Sequence, residues 1–193
     1  MSAIQDSHSG GSSGWHIVQT VKNLLSSPTL VSSGIVLISL FALSAALVAQ
    51  YAFQMVPCPL CLLQRIPYAS AAVLGLIALV LARMRKPRGS AFFILTSALF
   101  FAVNAEVAFY HNGVEQHWWM SVIEGCKIPV TPENAHTLLE KIQLLAPARC
   151  DEIPWDDPIL HLSMAAWNVM ICAGLAVVSL AASILILRKH SPA

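Results

Sequence analysis

Cysteine is the residue type best placed to do chemistry in this chain. Cys58 and Cys61 enclose Pro59 and Leu60 in a C-x-x-C, and Arg65 follows Cys61 four positions on. In a helix that spacing puts Cys61 and Arg65 on one face, about a turn apart. A cation there favours thiolate, and a cysteine near a helix amino terminus gains further from the dipole, so its pKa falls below the ~8.5 of a free cysteine. Thiolate is the form that attacks. Arg65 also carries a fork of donors suited to a carbonyl or oxyanion; its plainer role is an interfacial arginine snorkelling to phosphates.

The elements that position these residues must be membrane helices. Of 193 residues, 56% are hydrophobic and only 11% charged, against about 25% charged in soluble proteins. A spanning helix needs roughly 20 apolar residues, and four stretches qualify, about 30–53, 62–81, 91–110 and 163–187. None shows the alternation of a barrel strand, and lipid offers no partner to open backbone. The expected fold is an all-α integral membrane protein: a four-transmembrane-helix bundle with a short outer turn carrying the C-x-x-C and a long outer loop. The expected organisation is a polar head over 1–28, partly disordered through Gly14 with a short interfacial helix over 16–25, a membrane domain over 29–187, and a tail over 188–193. Span one reads as an uncleaved anchor rather than a signal peptide.

Basic residues set the orientation. Arg83, Arg85, Lys86 and Arg88 crowd the second link, and Arg188 and Lys189 follow span four, so both termini are expected in the cytoplasm. The loop over 111–161 then lies outside and is acidic, with Glu115, Glu124, Glu133, Glu140, Asp151, Glu152, Asp156 and Asp157 against Lys127, Lys141 and Arg149. A net charge of +1 with that distribution gives no indication of nucleic-acid binding.

This topology places Cys58, Cys61, Cys126 and Cys150 outside and only Cys172 within a span. An outer compartment such as a bacterial periplasm permits disulfides, and four cysteines allow three connectivities. A Cys126–Cys150 bond would stabilise a polar loop by about 3.5 kcal/mol. A Cys58–Cys61 bond closes too small a ring to matter as a staple, so its value is chemical. Covalent haem attachment would need a histidine where Leu62 stands, and a four-thiolate zinc site is disfavoured by oxidising surroundings; no metal is expected.

The chain resembles the disulfide bond formation protein B family, DsbB, along nearly its full length. The likeness runs from span one through C-P-L-C-L-L-Q-R-I-P-Y at Cys58 to Tyr68 and Y-H-N-G-V-E at Tyr110 to Glu115. It continues through C-D-E-I-P-W at Cys150 to Trp155 and S-M-A-A-W-N at Ser163 to Asn168. The resemblance implies a bacterial inner-membrane enzyme that reoxidises a periplasmic DsbA-like thiol oxidase and passes the electrons to ubiquinone or menaquinone. It implies that Cys126 and Cys150 form the loop disulfide, with Cys126 making the mixed disulfide with the partner. Cys61 would face the quinone, Arg65 would hold the charge, and Cys58 would exchange with the loop pair.

Other residues invite weaker readings. His111 could relay protons or be an ordinary interfacial histidine, and Glu115 is similar. Glu106, late in span three, is a functional candidate only by its depth. Trp118, Trp119, Trp155 and Trp167 fit an interfacial aromatic belt. Leu138, Leu139, Ile142 and Leu145 recur at helical spacing over 136–145, and Cys172 reads as a small buried apolar residue. The alternative enzyme class is similar to the vitamin K epoxide reductase family, although its C-x-x-C comes late in the chain. A non-enzymatic tetraspan protein with structural disulfides would leave the spacing of Cys61 and Arg65 unexplained.

Overall fold

The computed structural model describes residues 11–123, 126 and 149–191; the expected helix over 136–145 lies outside them. Among these described residues five helices follow in order: α1 (Gly11–Leu25), α2 (Pro28–Tyr51), α3 (Pro59–Arg83), α4 (Pro87–Glu115) and α5 (Met164–Lys189). The last four are long and apolar enough to cross a membrane. Among the described residues there is no strand, only one isolated bridge between Asp156 and Ser163. The all-α, four-span architecture expected from composition is what the chain adopts.

Local chemistry explains where the helices start. Pro28, Pro59 and Pro87 each occupy the first turn of their helix, where a missing N–H costs nothing and the fixed φ suits the helix. Ser163 caps α5 by accepting from the Ala166 N–H at 3.1 Å. The turn between α3 and α4 is closed by Arg85 at φ 58°.

Three boundaries differ from expectation. Helix α1 begins at Gly11, so part of the head expected to be disordered is helical. Helix α3 begins at Pro59, ahead of the apolar stretch, which puts the C-x-x-C in its first turn. Helix α4 continues to Glu115, carrying His111 and Glu115 on its last turns. Hydropathy marks where lipid is met, whereas a helix persists as long as its side chains find neighbours; His111, Val114 and Glu115 are buried against other elements.

Helix α4 is the centre of the bundle, packed between α3 and α5, while α2 lies on α3 and α1 touches the ends of α2 and α5. The core holds Ile35, Tyr68, Ile94, Phe101, Cys172 and Ile186 with small alanines between them. Buried serines also line the contacts, and the Ser183 hydroxyl donates to the Ala91 carbonyl of α4 at 3.0 Å; small residues of this kind let membrane helices approach. Gly75 serves the same end, since a Cβ there would sit 2.9 Å from Ile35 Cγ2 on α2. Leu37, Phe41, Val73, Phe92, Leu99 and Val177 are exposed, as residues facing lipid tails should be.

Candidate redox site

At the end of the bundle where α3 starts, Cys58 is the residue preceding the first helical turn. Its sulfur accepts the Cys61 backbone N–H at 3.2 Å and lies 2.9 Å from the Cys61 sulfur. The neighbouring helix α4 brings His111 Nε2 to 3.6 Å from Cys58 Sγ. Cys58 is buried and Cys61 is half-buried; both are free cysteines. The hydrogen bond from the Cys61 side chain draws the Cys58 pKa down; burial opposes it, and His111 adds to the lowering, leaving the thiol well below its ordinary value. Dipole and arginine spacing pointed to Cys61 as the thiolate. The geometry instead gathers donors on Cys58, because the residue at a helix amino cap faces the free N–H groups of the first turn.

His111 is held on both sides. Gln64 Nε2 lies 3.1 Å from His111 Nδ1, and Glu115, one turn further along α4, puts a carboxylate oxygen 3.6 Å from Nε2. The Glu115 carboxylate also accepts the hydroxyl of Ser163, the cap of α5. From Gln64 a chain of polar contacts enters the bundle. Asn168 Nδ2 donates to Gln64 Oε1 at 2.6 Å, and the Tyr68 hydroxyl donates to Asn168 Oδ1 at 2.6 Å. Cys172 Sγ lies 3.1 Å from the Tyr68 hydroxyl and 3.3 Å from Asn104 Nδ2. Cys172 is therefore fully buried but in polar company, unlike its reading as an apolar filler.

The second pair is bonded: Cys126 and Cys150 form a disulfide across 24 positions. Both are buried in one apolar cluster with Cys58, Leu60 and Val114, edged by Cys61, Val107, Tyr110 and Ile123. The four cysteines singled out in the sequence thus come together. Tyr110 ties down the segment at Val122, its hydroxyl accepting from the Val122 N–H at 2.9 Å. The Trp119 indole donates to the Tyr110 carbonyl at 3.1 Å and stacks on its ring. That stacking requires Gly113, where any Cβ would overlap the Trp119 ring. Beyond Cys150, Arg149 pairs with Asp151 at 2.7 Å and with Glu152 at 3.1 Å.

Arg65 donates from Nη1 to Gln50 Oε1 of α2 at 2.7 Å. Its Nε is buried and, among the described residues, has no hydrogen-bond partner. An unused guanidinium N–H one turn from Cys61, on a helix that exposes Leu62 and Ile66, fits a carbonyl-bearing ring lying against α3. Cys58, Cys61 and His111 have ligand atoms within 4.8 Å of one another, although three donors fall short of the four of a structural zinc site. Glu106 is exposed on α4. Gln50, Gln64, Tyr68 and Asn168 escaped residue-by-residue reasoning; the available signal was an amide or phenol inside an apolar span.

Four apolar helices with a dithiol and a disulfide buried together at one end define a multi-pass membrane protein with a thiol–disulfide site. The family model for disulfide bond formation protein DsbB matches residues 29–182, and the chain belongs to the DsbB family. Among curated proteins, "Uncharacterized protein RP370" of Rickettsia prowazekii (strain Madrid E) is 40% identical over 52 residues, which is 27% of this chain and 30% of that protein. The match thus spans less than a third of that relative's length. No solved structure matches the chain.

Proposed function

We propose that this chain is a thiol:quinone oxidoreductase of the bacterial inner membrane that reoxidises a periplasmic DsbA-like thiol oxidase. The observation that carries the reading is the burial of Cys58, Cys126 and Cys150 in one cluster, with Cys61 at its edge. Exchange needs two sulfur pairs within reach of each other, and structural staples do not. Orientation is supported by Arg83, Arg85, Lys86, Arg88, Arg188 and Lys189, which flank the helix ends away from the cysteines and favour the cytoplasm.

The partner's two thiols attack the Cys126–Cys150 bond through a mixed disulfide at Cys126, leaving the partner oxidised and the loop pair as thiols. Exchange with Cys58 then reforms the loop bond, breaks a Cys58–Cys61 bond and leaves two thiols on α3. Bonds are conserved at each exchange, so direction is set by relative potentials, about 30 mV per 1.4 kcal/mol. Reforming Cys58–Cys61 releases two electrons and two protons; a bound ubiquinone or menaquinone supplies the acceptor for both. Arg65, with its unused N–H, would hold the ring oxygen, and Cys61, half-buried, would be the sulfur on that side. His111, 3.6 Å from Cys58, stabilises its thiolate between exchanges.

The test is quinone reduction by the purified chain supplied with a reduced DsbA-like protein and ubiquinone or menaquinone, compared with Cys61→Ser. The parent should couple thiol oxidation to quinone reduction and the variant should not. Absence of quinone-dependent oxidation in the parent sinks the function, and full activity in Cys61→Ser sinks the role of Cys61.

A further inference from the structure

We propose that Tyr68, Asn168 and Gln64 are positioning residues: together they form a one-directional hydrogen-bond chain that fixes His111 as its Nε2–H tautomer and so presents an N–H to Cys58. The proposal deepens the reading of Cys58 as the exchanging sulfur and rests on it.

Amides can be turned over, so a row of Gln and Asn has two self-consistent directions unless something at an end breaks the tie. Here Tyr68 and Cys172 break it. The Tyr68 hydroxyl lies 2.6 Å from Asn168 Oδ1 and donates to it. Asn104 Nδ2 faces Cys172 Sγ, and the Cys172 S–H has acceptors in Tyr68 at 3.1 Å and Asn168 Oδ1 at 3.3 Å. With Oδ1 toward them, Asn168 accepts from the phenol O–H and is within reach of the thiol; turned over, it would set its NH2 against both donors and leave the phenol oxygen to take the NH2 and the S–H together. The oxygen of Asn168 therefore faces Tyr68 and the thiol, and its NH2 faces Gln64.

The rest follows by elimination. Asn168 Nδ2 donates to Gln64 Oε1 at 2.6 Å, so only the NH2 of Gln64 remains for His111 Nδ1, 3.1 Å away. A neutral imidazole has one donor and one acceptor nitrogen. With Nδ1 accepting, the proton is on Nε2, between Cys58 Sγ and Glu115 Oε1, each at 3.6 Å. Reversal of the chain would put the proton on Nδ1 and a lone pair against the sulfur, favouring thiol over thiolate. The groups facing Cys58 are Cys61 from α3, His111 and Glu115 from α4, and the Cys126–Cys150 disulfide, which does not titrate; Ser163 of the α5 cap occupies Glu115.

Tautomers are read directly from imidazole 15N shifts in the reduced full chain in lipid nanodiscs, with the His111 signals identified by their loss in His111→Gln. At a pH where the ring is neutral, the proton is expected on Nε2; a proton on Nδ1 overturns the proposal without recourse to any other variant. In the second arm, Asn168→Leu keeps nearly the same volume and frees Gln64 to turn. Mixed tautomers are expected, with the midpoint of Cys58 alkylation raised by about one pH unit, roughly a tenfold loss of thiolate at fixed pH below it. Tyr68→Phe should move both readouts the same way but less. An unmoved alkylation midpoint in Asn168→Leu overturns the proposal, because a purely structural asparagine would alter stability and leave the titration alone. Quinone reduction by the parent is read separately; its absence would refute the proposed function while leaving the tautomer result to decide this one.

Discussion

Replacing Cys61 by alanine removes the donor that does most to lower the Cys58 pKa, and the size of the effect sets the pH at which to look for it. In the reduced parent Cys58 is drawn down from 9.0 to about 4, with the Cys61 side chain first among the causes and His111 behind it. At pH 5 roughly nine-tenths of Cys58 is then thiolate, against roughly one part in ten thousand for a thiol at 9.0, a ratio of about 10⁴. A less basic thiolate is also a poorer nucleophile, and a Brønsted slope of about 0.4–0.5 over five units takes back a factor of about 100–300. The net advantage of the parent at pH 5 is about 30–100-fold. At pH 7 the population ratio falls to about 100, and the two effects nearly cancel. Cys61→Ala keeps His111, so these figures are upper bounds, and Cys61→Ser, which retains a hydroxyl donor, should fall between. The assay is the rate of alkylation of Cys58, followed by mass spectrometry of its peptide in the fully reduced chain from pH 4 to 8. The parent should show a nearly flat profile above pH 5, and Cys61→Ala a steep one. A parent rate that climbs tenfold per unit through this range would make Cys58 an ordinary thiol, contrary to the lowered value. The same shift bears on stability: because the folded value lies below 9.0, the thiolate's contribution is complete above pH 9 and disappears as pH falls through about 4.

Gly113→Ala should lower the thermal midpoint in detergent, because Trp119 must leave its stack on Tyr110 and its hydrogen bond to the Tyr110 carbonyl. The loss of about 1–3 kcal/mol from those contacts exceeds the ~1 kcal/mol gained in helix propensity; an unchanged midpoint would show that Trp119 is not held there. Ser163→Ala removes both the α5 cap and the hydroxyl partner of buried Glu115. It should destabilise by about 2–4 kcal/mol in thermal or denaturant unfolding, more than the ~1 kcal/mol of a cap alone. Arg65→Met should raise the KM for quinone by at least tenfold while leaving Cys58 alkylation unchanged, since Arg65 bonds Gln50 rather than the cysteines; equal loss in both assays would assign Arg65 to the thiols instead.

How much was legible in the sequence differs between the fold and the site. Spanning helices could be read because lipid demands long uncharged runs, and the cysteines because C-x-x-C beside a basic residue is rare in such runs. Their far ends could not. Hydropathy falls off at His111 and Glu115, yet helix α4 continues because both side chains are buried against α3 and α5. The amide chain was less legible still. Gln64, Asn168 and Tyr68 are separated by up to 104 positions, and only the packing of α3 on α4 and of α4 on α5 turns three isolated polar residues into one file.

That packing also adds contacts that spacing along one helix does not carry. Read along one helix, Cys61 has the better claim to thiolate character, because the dipole and Arg65 both act along α3. Read across helices, Cys58 does, because His111 reaches it from α4 and the Cys61 N–H from its own first turn. The two sulfurs of the pair consequently have different surroundings: Cys58 is buried in the cluster that holds the Cys126–Cys150 disulfide, and Cys61 is half-buried at its edge, one turn from an arginine with an unused N–H. A relay requires such an asymmetry, since one sulfur must be available to the donor pair and the other to the acceptor. A symmetrical C-x-x-C could exchange with either side but would have no means of separating them.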